Sequence, residues 1–123
     1  MIYKHKTFVN FSNHPSFLWE IGQREAALEY GEIVDVPFPD VDPAGDEEYI
    51  HFLAEESIAR IMEYSPAAVL CQGEFCLAYQ VTSMLLKQGI LVVAACSKRI
   101  VREERNRKEV VFEFRRFRRY QNP

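Results

Sequence analysis

Three short clusters hold the residue types of this chain that could do chemistry: Ser12-Asn13-His14, Gln72-Gly73-Glu74 and Ser97-Lys98-Arg99. Histidine is the side chain suited to moving a proton near neutral pH, so His14 is a candidate acid or base. Ser12 and Asn13 beside it supply hydrogen-bonding handles. Pro15 holds His14 out of helical geometry, while Ser16 or Asn13 could cap a following helix. Gly73, between an apolar run and a helical pattern, lets backbone N–H groups approach an anion or a ribose. Glu74 would repel a phosphate there and suits a ribose hydroxyl or a base edge; it could equally favour the positive end of the helix dipole. Ser97 offers a hydroxyl, Arg99 a two-pronged grip on phosphate and Lys98 a point charge.

Four apolar runs are expected to be the strands that position these clusters. They are Thr7–Ser12, Glu32–Pro37, Ala67–Gln72 and Ile90–Cys96. The last two are continuously apolar, as in strands covered on both faces. Between the runs, Ser16–Tyr30, Asp46–Tyr64 and Glu74–Gln88 have helical spacing. In the first of these, Leu18, Ile21 and Leu28 mark the expected inner side and Gly31 a left-handed stop. Pro66 and Gly89 punctuate the other two. The order β-α-β-α-β-α-β predicts right-handed crossovers and an α/β fold of Rossmann-like, three-layer type. After Cys96 there is no room for another crossover helix. Val110, Phe112 and Phe114 alternate with other residues, so a fifth strand returns antiparallel through a turn at Asn106. The expectation is a single domain over residues 1–123, with a mainly parallel sheet of about five strands and an antiparallel C-terminal edge hairpin.

In such a sheet, ligands bind outside the carboxyl ends of the strands, where strand order reverses. All three chemical clusters fall at that rim, whereas the opposite rim receives mostly helix stops. The carboxylate-rich loop PFPDVDPAGDEE, residues 37–48, needs only a structural explanation, with Asp46 as a helix cap.

Composition narrows the function classes. Of 123 residues, 48% are apolar and 27% charged, ordinary for a globular domain. No apolar run approaches the roughly 20 residues that cross a bilayer, and MIYKHKTFVNF lacks the layout of a secretory signal. The expectation is therefore a cytoplasmic protein without a membrane partner. Three cysteines without CxxC spacing or a His cluster predict neither a disulfide framework nor a metal site. No cofactor is expected: neither a GxGxxG fingerprint nor a Walker loop is present. Ten of the 15 basic residues but four of the 18 acidic ones lie from Lys98 onward, +6 there against −9 before it. A cationic rim of that kind attracts phosphate, or forms a solvated hairpin on an acidic body. Arg115, Arg116, Arg118 and Arg119 are expected to serve solubility or an interface.

Asn10-Phe11-Ser12-Asn13-His14-Pro15 and Gln72-Gly73-Glu74-Phe75, with Ser-Lys-Arg after the fourth run, carry a family resemblance. The chain resembles the CARF-like Rossmann proteins of CRISPR systems, among them the small single-domain members that act as ring nucleases or bind cyclic oligoadenylate. The resemblance implies a nucleotide-type ligand touched by Asn10, Ser12, Asn13, Gln72, Gly73, Ser97, Lys98 and Arg99. It further implies a homodimer with the ligand on its twofold axis, and no duplex nucleic acid partner. Cleavage, if performed, would be metal-free, with the ribose 2′-hydroxyl attacking phosphate. Ser12 and Asn13 would orient it, His14 would transfer the proton, and Lys98 or Arg99 would hold the phosphate. Two alternatives stand beside this: a non-catalytic interaction module that docks through the basic hairpin, and a small Rossmann-like enzyme acting on a nucleoside or sugar with Glu74 as nucleophile or base.

Overall fold

The computed structural model describes residues 6–122. β1 (Thr7–Phe11) leads through a single 3-10 turn (Ser16–Leu18) to α1 (Ile21–Leu28) and β2 (Glu32–Asp35). A loop then precedes α2 (Glu47–Met62), β3 (Pro66–Cys71), α3 (Phe75–Lys87), β4 (Leu91–Glu104) and β5 (Arg107–Arg119). The sheet order is β2-β1-β3-β4-β5. All pairs are parallel except β4 with β5. The α/β class, the mainly parallel five-stranded sheet and the antiparallel edge hairpin thus match the sequence reading.

The interior strands are apolar because both of their faces are covered. All five residues of β1 are buried. Val9 and Phe11 pack with Ile58 and Ile61 of α2 and with Leu77, Val81 and Leu85 of α3. Phe8 points the other way, with Ala68, Leu70, Val93, Trp19, Ala27 and Phe117. Burying each such Leu, Val or Phe side chain contributes about 1.5–3 kcal/mol. Phe8 and Phe117 touch, with ring centroids 5.1 Å apart. Their strands are three steps apart in the sheet order, about 14 Å if flat. The sheet is therefore strongly curled.

Three expectations are corrected. Ser16–Tyr30 is not one helix: Trp19 is extended (φ −72°, ψ 148°) and separates the 3-10 turn from α1. Leu18, Ile21 and Leu28 are exposed rather than inward, because the inward position of α1 belongs to Ala27 and the space beside it to the Trp19 indole. Nor does the fourth strand end at Cys96. It runs on to Glu104, since β5 continues to pair with it to the end. The turn between them is the two residues Arg105 and Asn106, with φ of +47° and +69°. Positive φ at both positions matches the twist of a tight hairpin. Gly31 is not the expected left-handed helix stop. A Cβ there would lie 2.3 Å from the Lys6 carbonyl oxygen, so only glycine admits the close passage of the chain.

β4 pairs with β3 only at Leu91–Val93. From Ser97 to Phe114 the hairpin leaves the parallel sheet as a two-stranded arm, bent where β5 carries an extra residue, Arg115, beside the Cys96/Ser97 step.

Candidate functional site

The strand order reverses between β1 and β3, and a cleft of about 660 Å³ opens at their carboxyl ends. Ser12, Asn13, His14, Gln72, Gly73 and Ser97 line it, joined by Trp19, Glu20, Gln23, Phe112 and Phe114. Six of the ten residues singled out in the sequence are brought together there.

The loop after β1 is held by a polar network that runs from buried Asn10 and Ser12 out to exposed Asp35. Asn10 Nδ2 donates to the His14 carbonyl (2.9 Å) and to Asp35 Oδ1 (3.0 Å). Ser12 Oγ donates to Asn10 Oδ1 at 2.6 Å. Asp35 Oδ2 accepts from the Ser16 N–H and hydroxyl, and Trp19 Nε1 donates to the His14 carbonyl at 3.1 Å. Asn10 is 1% exposed, so it works beneath the cleft as the anchor of the loop. Asn13 and His14 are exposed at its rim. Neither Asn13 nor Ser16 caps a helix through its side chain. Asp35, directly beside Asn10 in the β1–β2 register, was missed. The one signal for it was a carboxylate inside the apolar run EIVDVP.

Across the cleft, Gln72 Oε1 accepts from the Ala95 N–H at 2.8 Å, which ties the end of β3 to β4. Gly73 has a packing reason to be glycine. A Cβ there would sit 2.6 Å from the Phe38 ring, which is buried against Phe11. Glu74 turns away from the cleft lining and caps α3, accepting from the N–H groups of Cys76 (2.9 Å) and Leu77 (2.8 Å). These bonds, that from Leu77 first, hold its carboxyl below the usual value. The helix N-terminus is thereby satisfied by the chain itself.

Lys98 and Arg99 do not follow the strand as a loop; both lie inside β4. Successive strand residues face opposite sides, so the two cannot enter one crevice together. Lys98 pairs with Glu113 and Arg99 with Phe112. Neither lines the cleft, and among the described lining residues there is no Lys or Arg. Of the aromatic walls, Phe112 and Phe114 are strand pattern in the sequence and Trp19 carries no signal there; Phe112 is 61% exposed beside the opening.

A second, more apolar groove of about 810 Å³ lies between the outer side of α3 and the C-terminal Tyr120–Asn122. Its lining begins at Phe75, the first residue of α3, and it holds no group with an evident reactive role. Among the described residues no three His, Cys, Asp or Glu side chains cluster as metal ligands would. All three cysteines are free. Burial pushes the Cys71 thiol up to about 11, with a Thr82 hydrogen bond opposing it. Among the described residues no helix is long and apolar enough to cross a membrane.

A protein-family model matches residues 6–118, nearly the whole chain. The chain belongs to the Uncharacterized protein MJ1673 family. The match spans both sides of the cleft and all but the last residue of β5, so the family shares the strands that build the site. No curated protein and no solved structure matches the chain.

Proposed function

We propose that this protein binds a nucleotide-type ligand, of the cyclic oligoadenylate kind, in the cleft at the ends of β1 and β3, as a CARF-like, Rossmann-like three-layer protein that acts as a homodimer. The observation that carries the reading is the convergence of Ser12, Asn13, His14, Gln72 and Ser97 with Trp19, Phe112 and Phe114 in one opening. Aromatic faces stack bases, at about 1–3 kcal/mol per base, while amide and hydroxyl groups read base edges and ribose. The cleft volume suits one nucleotide unit per copy. The free thiols suit a reducing cytoplasm.

His14 is the group at the rim able to move a proton. In a metal-free cleavage it takes the proton of a ribose 2′-hydroxyl as that oxygen attacks the adjacent phosphorus and the 5′-oxygen leaves, taking its proton from water. The products are a 2′,3′-cyclic phosphate and a 5′-hydroxyl. Glu74 has no part in this step, because its carboxylate is committed to the α3 cap.

The test is calorimetric titration with a panel of cyclic oligoadenylates and linear adenylates, followed by product analysis with and without chelator. One cyclic member is expected to bind, and Ser97→Trp, which fills the cleft, to abolish that binding. His14→Ala should retain binding and lose any chelator-insensitive cleavage. Failure of every member to bind the wild-type protein would end this reading.

A further inference from the structure

The arm beyond β3 leaves a strand edge unused. The Ala95 N–H points away from β5, toward Gln72. Glu104 and Arg107 close the two-residue turn as a hydrogen-bonded pair, so the even-numbered residues of β4 bond to β5. Ser97, Arg99, Val101 and Glu103 therefore direct their N–H and C=O groups to the free edge. A two-stranded ribbon in water is marginal by itself, and this one exposes Val101, Val110 and Phe112 on one face. The outer edge of β5 carries one sign at its base, Arg115, Arg116, Arg118 and Arg119, whereas the β4 edge, Ser-Lys-Arg-Ile-Val-Arg-Glu-Glu, carries both signs and so repels a copy of itself only in the wrong register.

That edge is complementary to itself. When it pairs antiparallel with its own copy about Val101, Arg99 faces Glu103 and Lys98 faces Glu104, each twice by symmetry. Val101 meets Val101 on the axis, and the odd-numbered residues form the hydrogen-bonded pairs, as their outward groups require. Sliding the register by two residues sets Lys98 against Arg102 in one direction and Arg102 against Arg102 in the other. An odd slip would bring an outward group to an inward one. In the favoured register the turn residue Arg105 arrives opposite Ser97, which lines the cleft.

We propose that a second copy of this chain adds to the free edge of β4 about a twofold axis at Val101, and that the partner's Arg105 supplies the cleft with the positive charge its own lining lacks. The second half rests on the cleft being a phosphate-bearing ligand's site; the first half does not. The interface is isologous, with each copy completing the other's site. It also assigns a role to the charge division of the sequence: Lys98 and Arg99 act at the interface rather than in the cleft.

Sedimentation across a wide concentration range should show a dimer. Val101→Pro removes an outward N–H without touching the β4–β5 ladder, and should give a monomer of unchanged circular dichroism. Glu103→Lys and Arg99→Glu should each weaken the dimer, and the double exchange should restore it. With Cys76 replaced by Ser, Lys98→Cys/Glu104→Cys should oxidise to a covalent dimer, because those positions face each other across the axis at about 4.5 Å. Within one chain they are about 20 Å apart along the strand and cannot join. A wild-type monomer, a dimer indifferent to these changes, or no cross-link would overturn the interface. For the cleft, inorganic pyrophosphate is the probe: the wild-type dimer should bind it, and Arg105→Ala should stay dimeric while binding at least about tenfold more weakly. Equal affinity in that variant, or no binding by the wild-type dimer, would overturn the role of Arg105. Pyrophosphate binding without any cyclic oligoadenylate binding would instead defeat the proposed ligand and leave the interface standing.

Discussion

Glu74 and Cys76 sit at the start of α3, and their behaviour follows from two hydrogen bonds. The cap lowers the Glu74 carboxyl pKa, so its stabilisation is present above the unfolded value and fades as pH falls through the folded one. Glu74→Ala should cost about 1 kcal/mol at neutral pH. Melting curves of the two proteins should converge as the medium is acidified below the ordinary carboxyl value of 4.5. The same carboxylate raises the thiol of exposed Cys76. Glu74→Gln should therefore speed alkylation of Cys76 at constant pH, while buried Cys71 stays inert in the native state; labelling kinetics read by mass spectrometry would check both. The family resemblance implies a ligand contact for Asn10, yet its amide is spent on Asp35, Ser12 and the His14 carbonyl. Replacing it by Ala should destabilise the protein by roughly 2 kcal/mol, because the buried Ser12 hydroxyl and the His14 carbonyl lose this partner. Chemical denaturation measures that loss.

At the scale of elements, the loop after β3 and the hairpin behave differently from their sequence appearance. Gly73→Ala should cost about 1–3 kcal/mol, since the Phe38 ring it strikes is fixed against Phe11. Phe38→Leu in the same chain should recover part of that loss in a thermal melt. Periodicity in Asp46–Tyr64 and Glu74–Gln88 located α2 and α3 to within a residue or two, because both helices bury one side on β1 and β3. It misplaced α1. That helix covers little of the sheet, and the Trp19 indole fills the space an apolar stripe would have occupied.

For the whole molecule, the curl of the sheet decides how the arm is attached. Phe117 of β5 crosses the face of the sheet to reach Phe8 and Trp19, with centroids at 5.1 and 6.4 Å. Phe117→Ala should destabilise the fold by about 3–5 kcal/mol. Amide exchange would reveal the loss first along β5 and α1, whose contact runs through this region. The same curl brings Phe112 and Phe114 round to the cleft, whose walls therefore come from both ends of the chain.

The chain by itself determined the alternation of elements, the returning edge strand and the loops that meet at one rim, because hydrophobic period, turn residues and strand-end geometry are local properties. Tertiary structure alone decided which polar groups remain free: whether a carboxylate caps a helix, an amide braces a loop, or a cation points along an arm instead of into a cleft. Those outcomes depend on neighbours distant in sequence, and on a curvature that no single segment encodes.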